Sequence, residues 1–232
     1  MKKIFYSILI FLLILLNFST VCADDVDNEV DFEDTIEVTA SNVSELPKTN
    51  SRRYIVYDRI SKSMIIGKNE DIKSAMASTT KIMTTIVILE KADLNETVTV
   101  SAKAGGTGGS RLGLKRGDKA SVRDLLYGLM LRSGNDAAVA LAEHVGGSVK
   151  GFAELMNEKA IELGLTNTHF VTPHGLDDAN HYTTALELAK LTDYAMDNET
   201  FAKIVGTKST TIYINNQPRQ INNTNELLGV LN

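Results

Sequence analysis

The chain has 232 residues, of which 43% are hydrophobic and 6% aromatic, a composition that supports a globular core and excludes wholesale disorder and fibrous repeats. Residues 24–47 hold nine acids and no base, whereas residues 48–232 hold 22 bases and 20 acids. The main part of the chain is therefore nearly neutral and has no run of Lys or Arg, which argues against a nucleic-acid partner.

The N-terminus has the pattern of an export signal. Two lysines precede an apolar run over residues 4–16, and Val21-Cys22-Ala23 is typical of a cleavage site. We expect residues 1–23 to be a signal peptide that leaves the mature chain secreted and without a membrane anchor. A retained anchor is the alternative, but this run is shorter than the roughly twenty residues that span a bilayer. Cys22 is the single cysteine, so the mature chain would have no disulfide and no thiolate metal site.

An acidic segment separates the signal from the packed domain. Residues 24–47 lack helical or strand periodicity and end at Pro47, which predicts a solvated linker. The domain is expected over residues 48–232. It opens with two β-rich runs, RRYIVYD at 52–58 and SMIIGKN at 63–69, whose polar connection predicts a hairpin.

Helical patterns occupy the middle of the domain. Residues 78–92 are apolar on most faces, as in a buried helix, and Ser121-x-x-Asp124 opens another helix with a capping-box pattern. Further helices are expected over 137–145, over 152–163, and from a Thr184-x-x-Glu187 cap through residue 196. Strand character returns at 209–214, with a turn over 215–218. Strands at both ends of a helical middle predict an α+β domain whose sheet joins distant segments.

Two short patterns carry the candidate chemistry. Ser78 and Lys81 are three residues apart at the start of the buried helix, so they face the same side and the amine can reach the hydroxyl. A lysine that is kept partly neutral by burial can serve as the base that a serine nucleophile needs. Alone, the pattern is weak and is far more often a helix cap with a surface lysine. Ser133-Gly134-Asn135 lies in a break between two helices, where it is either a simple turn or a pair of groups that face a cleft.

Together these motifs resemble those of the low-molecular-mass penicillin-binding proteins, the serine-type D-alanyl-D-alanine carboxypeptidases. The matching segments are ASTTKIMT (77–84), GSRLGLKRGD (109–118), LLYGLMLRSGNDAA (125–138), TPHGLDDANHYTTALELAKL (172–191) and NTNELLG (223–229). The resemblance implies a β-lactamase and transpeptidase-like α+β fold, with an antiparallel sheet and a helical subdomain. It also implies that Ser78 is the acylated nucleophile and Lys81 its proton acceptor, that Ser133 assists proton transfer, and that Asn135 binds the substrate backbone.

The sequence departs from the family pattern at its C-terminal end. The Lys-Thr-Gly motif that accompanies the other two in such enzymes is absent from the 232 residues. We therefore expect an incomplete carboxypeptidase domain that lacks its C-terminal sheet strands and is impaired as an enzyme.

The implied function is a secreted serine D-Ala-D-Ala carboxypeptidase outside the cytoplasmic membrane that uses no metal or cofactor. Its partners would be the peptidoglycan stem peptide as substrate and β-lactams as covalent inhibitors. The alternatives are a β-lactamase-like hydrolase and a catalytically dead wall-binding or regulatory fragment. The four histidines, His144, His169, His174 and His181, show no metal-ligand spacing, and His174 and His181 are expected only to brace the cleft floor.

Overall fold

The protein is described by a computed structural model that covers residues 49–176 and 178–228. The predicted signal peptide, the acidic linker and the last four residues lie outside the described residues. Among the described residues, no helix is both long and apolar enough to span a membrane.

An antiparallel hairpin opens the described part of the chain. Strand β1, Tyr54–Asp58, pairs with β2, Ser63–Lys68, and the register shifts by one residue between Val56 and Tyr57. The hairpin confirms the prediction from the two β-rich runs. Arg59 and Lys62, at its turn, both bind the Asp193 carboxylate, at 2.9 and 2.7 Å, and so fix the hairpin to a helix more than 100 residues away.

Seven helices and four further strands follow in the described chain. A 3₁₀ turn, Ala77–Thr80, leads directly into α1, Lys81–Lys91. The remaining elements are β3 (Thr97–Thr99), α2 (Ala102–Gly105), β4 (Lys119–Ser121), α3 (Val122–Arg132), α4 (Asn135–Gly146), α5 (Val149–Glu162), α6 (Ala185–Met196), α7 (Glu199–Val205), β5 (Ser209–Ile214) and β6 (Gln217–Asn222).

Helix α1 lies in the middle of the core, as its apolar faces predict. It packs against α3, α4, α5, α6 and α7, and Met83, Val87 and Ile88 are fully buried in it. Burying such side chains stabilises the fold by about 1.5–3 kcal/mol each. The nucleophile candidate, at the start of this helix, is therefore attached to a fully packed element of the core.

Local capping signals placed the helix starts well. The Ser121 hydroxyl accepts the Asp124 N–H at 3.0 Å at the start of α3, and the Thr184 hydroxyl accepts the Glu187 N–H at 3.1 Å at the start of α6. Both capping predictions are confirmed. Helix α4 begins at Asn135, two residues earlier than expected, which places that side chain in its first turn. Strands β3, β4 and β6 and helices α2 and α7 were not predicted. Four of these elements are short, and β6, with one buried residue in six, has no apolar alternation.

The expected sheet between distant segments is not formed in the described chain. Its strands make three separate antiparallel pairs, β1–β2, β3–β4 and β5–β6. Strands β5 and β6 pack against α3, and the Asn215 N–H donates to the Lys119 carbonyl at 2.8 Å, so this second hairpin belongs with the helices. Its turn is only Asn215-Asn216, both with positive φ as a two-residue hairpin requires, and Pro218 lies within β6.

Candidate active site

Ser78 is presented by a tight turn at the start of α1. The preceding residue, Ala77, has a left-handed φ of 46°, an unfavourable conformation for a residue with a Cβ. The Thr80 hydroxyl donates to the Ala77 carbonyl at 2.8 Å and holds this turn closed. Ser78 is exposed, whereas Thr80 and Lys81, two and three residues later, are buried. The turn thus places the hydroxyl at the surface directly above the buried amine.

The Lys81 amine lies within hydrogen-bond distance of three oxygens. Nζ is 3.1 Å from Ser78 Oγ, 2.8 Å from Asn135 Oδ1 and 3.0 Å from the His174 carbonyl. Lys81 is only 2% exposed and has no ion-pair partner among the described residues. Burial penalises the charged form and lowers the pKa of Lys81 from 10.5 to about 8. An amine with this pKa can take up a proton near neutral pH.

Ser133 completes a chain of hydrogen bonds through the nucleophile. It is the C-cap of α3 and has a left-handed φ of 54°, and its Oγ donates to Ser78 Oγ at 3.0 Å. A non-glycine residue in this conformation costs of order 1 kcal/mol, and such strain is concentrated at functional sites. Ser78 Oγ therefore lies between the Lys81 amine and the Ser133 hydroxyl.

Asn135 connects the amine to the glycine-containing loop at 106–113. Its Oδ1 accepts from Lys81 Nζ, its Nδ2 donates to the Gly108 carbonyl at 2.9 Å, and its backbone N–H donates to the Ser110 carbonyl at 2.8 Å. Gly109 has a φ of 78°, and a Cβ there would lie 2.6 Å from Asn135 Nδ2. Asn135 orients Lys81 in this structure, and its contact with a substrate backbone stays a prediction.

Segment 172–176 packs behind the 3₁₀ turn at Ala77–Thr80 that presents Ser78, here called the nucleophile turn. Thr84 Oγ1 donates to the Pro173 carbonyl at 2.7 Å, and Lys81 Nζ to that of His174. Gly175 has a φ of 82°, and a Cβ there would lie 1.8 Å from the Ala77 carbonyl oxygen. Burial, aided by the Lys81 charge, lowers the pKa of His174 to about 4, so its imidazole is neutral. This segment therefore contacts the nucleophile turn closely, as the expected bracing requires.

The sequence analysis did not identify Asp136. This side chain is fully buried, and its carboxylate accepts the N–H groups of Leu112, Gly113 and Leu114 at 2.8, 2.7 and 2.9 Å. It holds the loop around Gly109 against the start of α4, next to Asn135. The available signal was an acid in the first turn of a helix, which reads as favourable for the helix dipole and gives no hint of a distant loop.

The two other histidines lie away from Ser78. His144 Nε2 is 2.7 Å from a Glu96 carboxylate oxygen, and His169 Nδ1 is 2.6 Å from the Asn180 carbonyl. Within the described part of the chain, no group of three His, Cys, Asp or Glu side chains is arranged to hold a metal ion.

Known proteins are similar to this chain in sequence and in fold. A family model for D-alanyl-D-alanine carboxypeptidases matches residues 39–232. The chain belongs to this family. Similar proteins include the carboxypeptidases DacF of Bacillus subtilis, 37% identical over 158 residues, and DacC of Escherichia coli, 42% identical over 163 residues. Each alignment covers 66% of this chain but only 41% of the relative, so the chain spans about two fifths of their length.

Solved structures of family members have the same α+β fold. A Streptomyces DD-transpeptidase variant superposes with a TM-score of 0.76 at 34% identity, covering 80% of this chain and 78% of that one. A carboxypeptidase from Mycobacterium tuberculosis gives a TM-score of 0.75 at 35% identity, covering 79% of this chain and 70% of that one. The resemblance drawn from the motifs and the predicted fold class are both confirmed.

Proposed function

We propose that this chain carries the acylation site of a serine-type D-alanyl-D-alanine carboxypeptidase, with Ser78 as nucleophile and Lys81 as its base. The observation that carries the proposal is the short distance from the Lys81 amine to Ser78 Oγ, 3.1 Å, at an amine whose pKa is lowered to about 8 by burial. A serine hydroxyl needs such a base because it is a weak nucleophile at neutral pH.

The direction of the Ser78–Lys81 hydrogen bond would decide reactivity. A charged Lys81 has three N–H donors, and Ser78 Oγ, Asn135 Oδ1 and the His174 carbonyl accept all of them. When the amine loses one proton, its lone pair can accept the Ser78 O–H while the other two hydrogen bonds remain. Roughly a tenth of such amines are neutral at pH 7. The two fixed acceptors thus leave the lone pair directed at the serine.

The reaction then proceeds in two steps, acylation of Ser78 and hydrolysis of the acyl-enzyme. Lys81 takes the Ser78 proton while Oγ attacks the carbonyl carbon of the penultimate D-alanine. The C–N bond to the terminal D-alanine breaks, and the leaving amine takes a proton by way of Lys81 or Ser133. Water next attacks the Ser78 ester, the ester C–O bond breaks, and one proton of that water passes to Ser78 Oγ. Asn135, beside Lys81, would bind the substrate backbone.

The family and the signal-like N-terminus support the proposed substrate and location. Relatives named D-alanyl-D-alanine carboxypeptidases support a peptidoglycan stem peptide as substrate and β-lactams as covalent inhibitors. The signal-like residues 1–23 support export, so the enzyme would work outside the cytoplasmic membrane. No step of the reaction requires a metal or another cofactor.

The test is covalent labelling of the protein expressed from its own gene to the natural stop codon. We expect benzylpenicillin to give one long-lived adduct by intact mass spectrometry, mapped to Ser78 by peptide analysis, and D-alanine to be released from a D-Ala-D-Ala peptide. Ser78→Ala should give no adduct, and Lys81→Ala should acylate at least about 10²-fold more slowly.

Matched controls separate these effects from general damage. Ser209 is exposed on β5 and Lys91 is exposed in the last turn of α1, so Ser209→Ala and Lys91→Ala should label like the parent chain. An adduct that persists in Ser78→Ala, or a parent chain that gives none, refutes the assignment. Rapid turnover of penicillin would indicate a β-lactamase instead, and wall binding without any adduct would indicate an inactive binding fragment.

A further inference from the structure

His181 is about 100 residues from the nucleophile turn in sequence, but it contacts the turn through the Thr80 side chain. The residue is only 3% exposed. Its Nε2 is 2.7 Å from Thr80 Oγ1, and its Nδ1 accepts the Val171 N–H at 2.9 Å. Its ring also contacts the Phe170 ring edge-on. None of these groups takes part in the reaction described above.

The partners of His181 determine which nitrogen carries its proton. A backbone N–H such as that of Val171 can only donate, so Nδ1 must present its lone pair. Burial lowers the pKa of His181 to about 4 and keeps the ring neutral, which leaves the proton on Nε2. Nε2–H then donates to Thr80 Oγ1, and the Thr80 hydroxyl donates to the Ala77 carbonyl at 2.8 Å. The hydrogen bonds therefore run in one direction, from His181 to Ala77.

This series of hydrogen bonds ends at the peptide group between Ala77 and Ser78, directly before the nucleophile. In a trans peptide, the carbonyl of Ala77 and the N–H of Ser78 point in opposite directions, so fixing one fixes the other. Ala77 has a left-handed φ of 46°, a conformation that persists only when its surroundings enforce it. Gly175 packs against the same carbonyl, so closely that a Cβ there would lie 1.8 Å from its oxygen.

We propose that His181 is a positioning residue that acts through Thr80 to fix the Ala77–Ser78 peptide and with it the orientation of Ser78 toward Lys81. This inference rests on the proposed function, because the position of Ser78 matters only if Ser78 is the nucleophile. A Thr80 that acted alone as a local turn residue would not depend on His181.

The first test observes the geometry and needs no activity. In ¹⁵N-labelled full chain at neutral pH, we expect the His181 ring to be protonated on Nε2 and unprotonated on Nδ1. The backbone amide signal of Ser78 should shift in Thr80→Val and in His181→Ala, and should stay in place in Thr85→Val. A proton on Nδ1, or an unmoved Ser78 amide in Thr80→Val, overturns the proposal even if no substrate is turned over.

The second test measures the second-order rate constant of acylation by benzylpenicillin. Thr80→Val keeps the shape and removes the hydroxyl, and we expect acylation to slow by about tenfold or more because the nucleophile is misplaced. Thr80→Ser restores the hydroxyl and should return the rate to within about twofold of the parent. Thr85→Val is the matched control and should acylate like the parent: Thr85 is buried as Thr80 is, but lies within α1, where its hydroxyl donates to the Lys81 carbonyl at 2.8 Å.

A double-variant cycle tests whether the two residues act as one unit. If His181 acts through Thr80, the Thr80→Val/His181→Ala chain should acylate no more slowly than the slower single variant. Multiplying losses, or a Thr80→Val chain that acylates at the parental rate, refutes the relay. A parent chain that forms no adduct refutes the proposed function instead, and the Ser78 amide signal then still decides the positioning role.

Discussion

Lys81 is a residue whose environment changes its chemistry. The same side chain at a surface position would be fully protonated at neutral pH, whereas burial in α1 lowers its pKa to about 8. Its three oxygen partners are all uncharged, so no carboxylate stabilises the charged amine and raises its pKa again. The residue is thereby both strongly positioned and ready to lose its proton.

This environment predicts the pH dependence of acylation. With Lys81 neutral as the base, the rate constant for acylation at low β-lactam concentration should rise with pH and level off above about 8, the pKa of the free enzyme's base. The direction follows from the sign of the shift, since a lysine with its ordinary pKa would place the rise near 10.5. Stopped-flow acylation between pH 6 and pH 10 measures the profile. A flat profile, or a midpoint near the ordinary value, contradicts the role of Lys81 as base.

At the scale of elements, the site is where three segments meet. The nucleophile turn and α1 carry Ser78 and Lys81, the junction of α3 and α4 carries Ser133 and Asn135, and segment 172–176 closes the back. Gly175 packs against the Ala77 carbonyl so tightly that a Cβ there would lie 1.8 Å from its oxygen.

Gly175→Ala is therefore expected to separate two of these segments. The new methyl group would push segment 172–176 away from the nucleophile turn and remove the His174 carbonyl from Lys81, slowing acylation by about tenfold or more. The matched control is Gly164→Ala, since Gly164 also has a positive φ, of 69°, but has no atom within 4 Å of the added Cβ. It should cost only about 1 kcal/mol of stability from backbone strain and leave acylation unchanged.

Acylation kinetics and urea unfolding of both variants measure these effects. Equal acylation by the two glycine variants would show that the contact with Ala77 has no part in placing the nucleophile.

At the scale of the whole molecule, the β1–β2 hairpin is notable for unpaired strand edges and exposed apolar side chains in the described chain. It is attached to α6 through Asp193, whose pKa is lowered by hydrogen bonds from Lys62 and Arg59. Neither outer edge of the hairpin pairs with another described strand. Its exposed faces include large apolar side chains, namely Val56, Ile60, Met64 and Ile65. Unpaired strand edges with apolar side chains favour association between chains.

We expect the exposed apolar side chains of the β1–β2 hairpin to cause self-association that increases with protein concentration. Ile65→Lys places a charge on the hairpin, at a side chain that is 68% exposed, and should shift the sedimentation profile toward monomer. Ile161→Lys is the control, because Ile161 is 79% exposed but lies on α5, outside the hairpin. Equal association by the two variants, or a parent chain that is monomeric at all concentrations, contradicts this expectation.

The sequence by itself determined the features that depend on near neighbours. The Ser121 and Thr184 caps are set by residues three positions away, and the facing of Ser78 and Lys81 follows from helical spacing, so these were predicted correctly. The motifs also identified the family. The sequence also predicted the local β1–β2 hairpin, but it could not decide whether strands from distant segments join in one sheet, and the β1–β2 and β5–β6 hairpins proved to be separate.

Only the tertiary structure decided how the site works. The Ser133–Ser78 hydrogen bond, the binding of the 112–114 N–H groups by Asp136 and the His181–Thr80 contact all join segments that are far apart in sequence. The lowered pKa of Lys81 likewise depends on burial by α4 and segment 172–176, because desolvation is a property of the folded surroundings and not of neighbouring residues. Spacing brought the serine and the lysine together, and the packed core gave the lysine its chemistry.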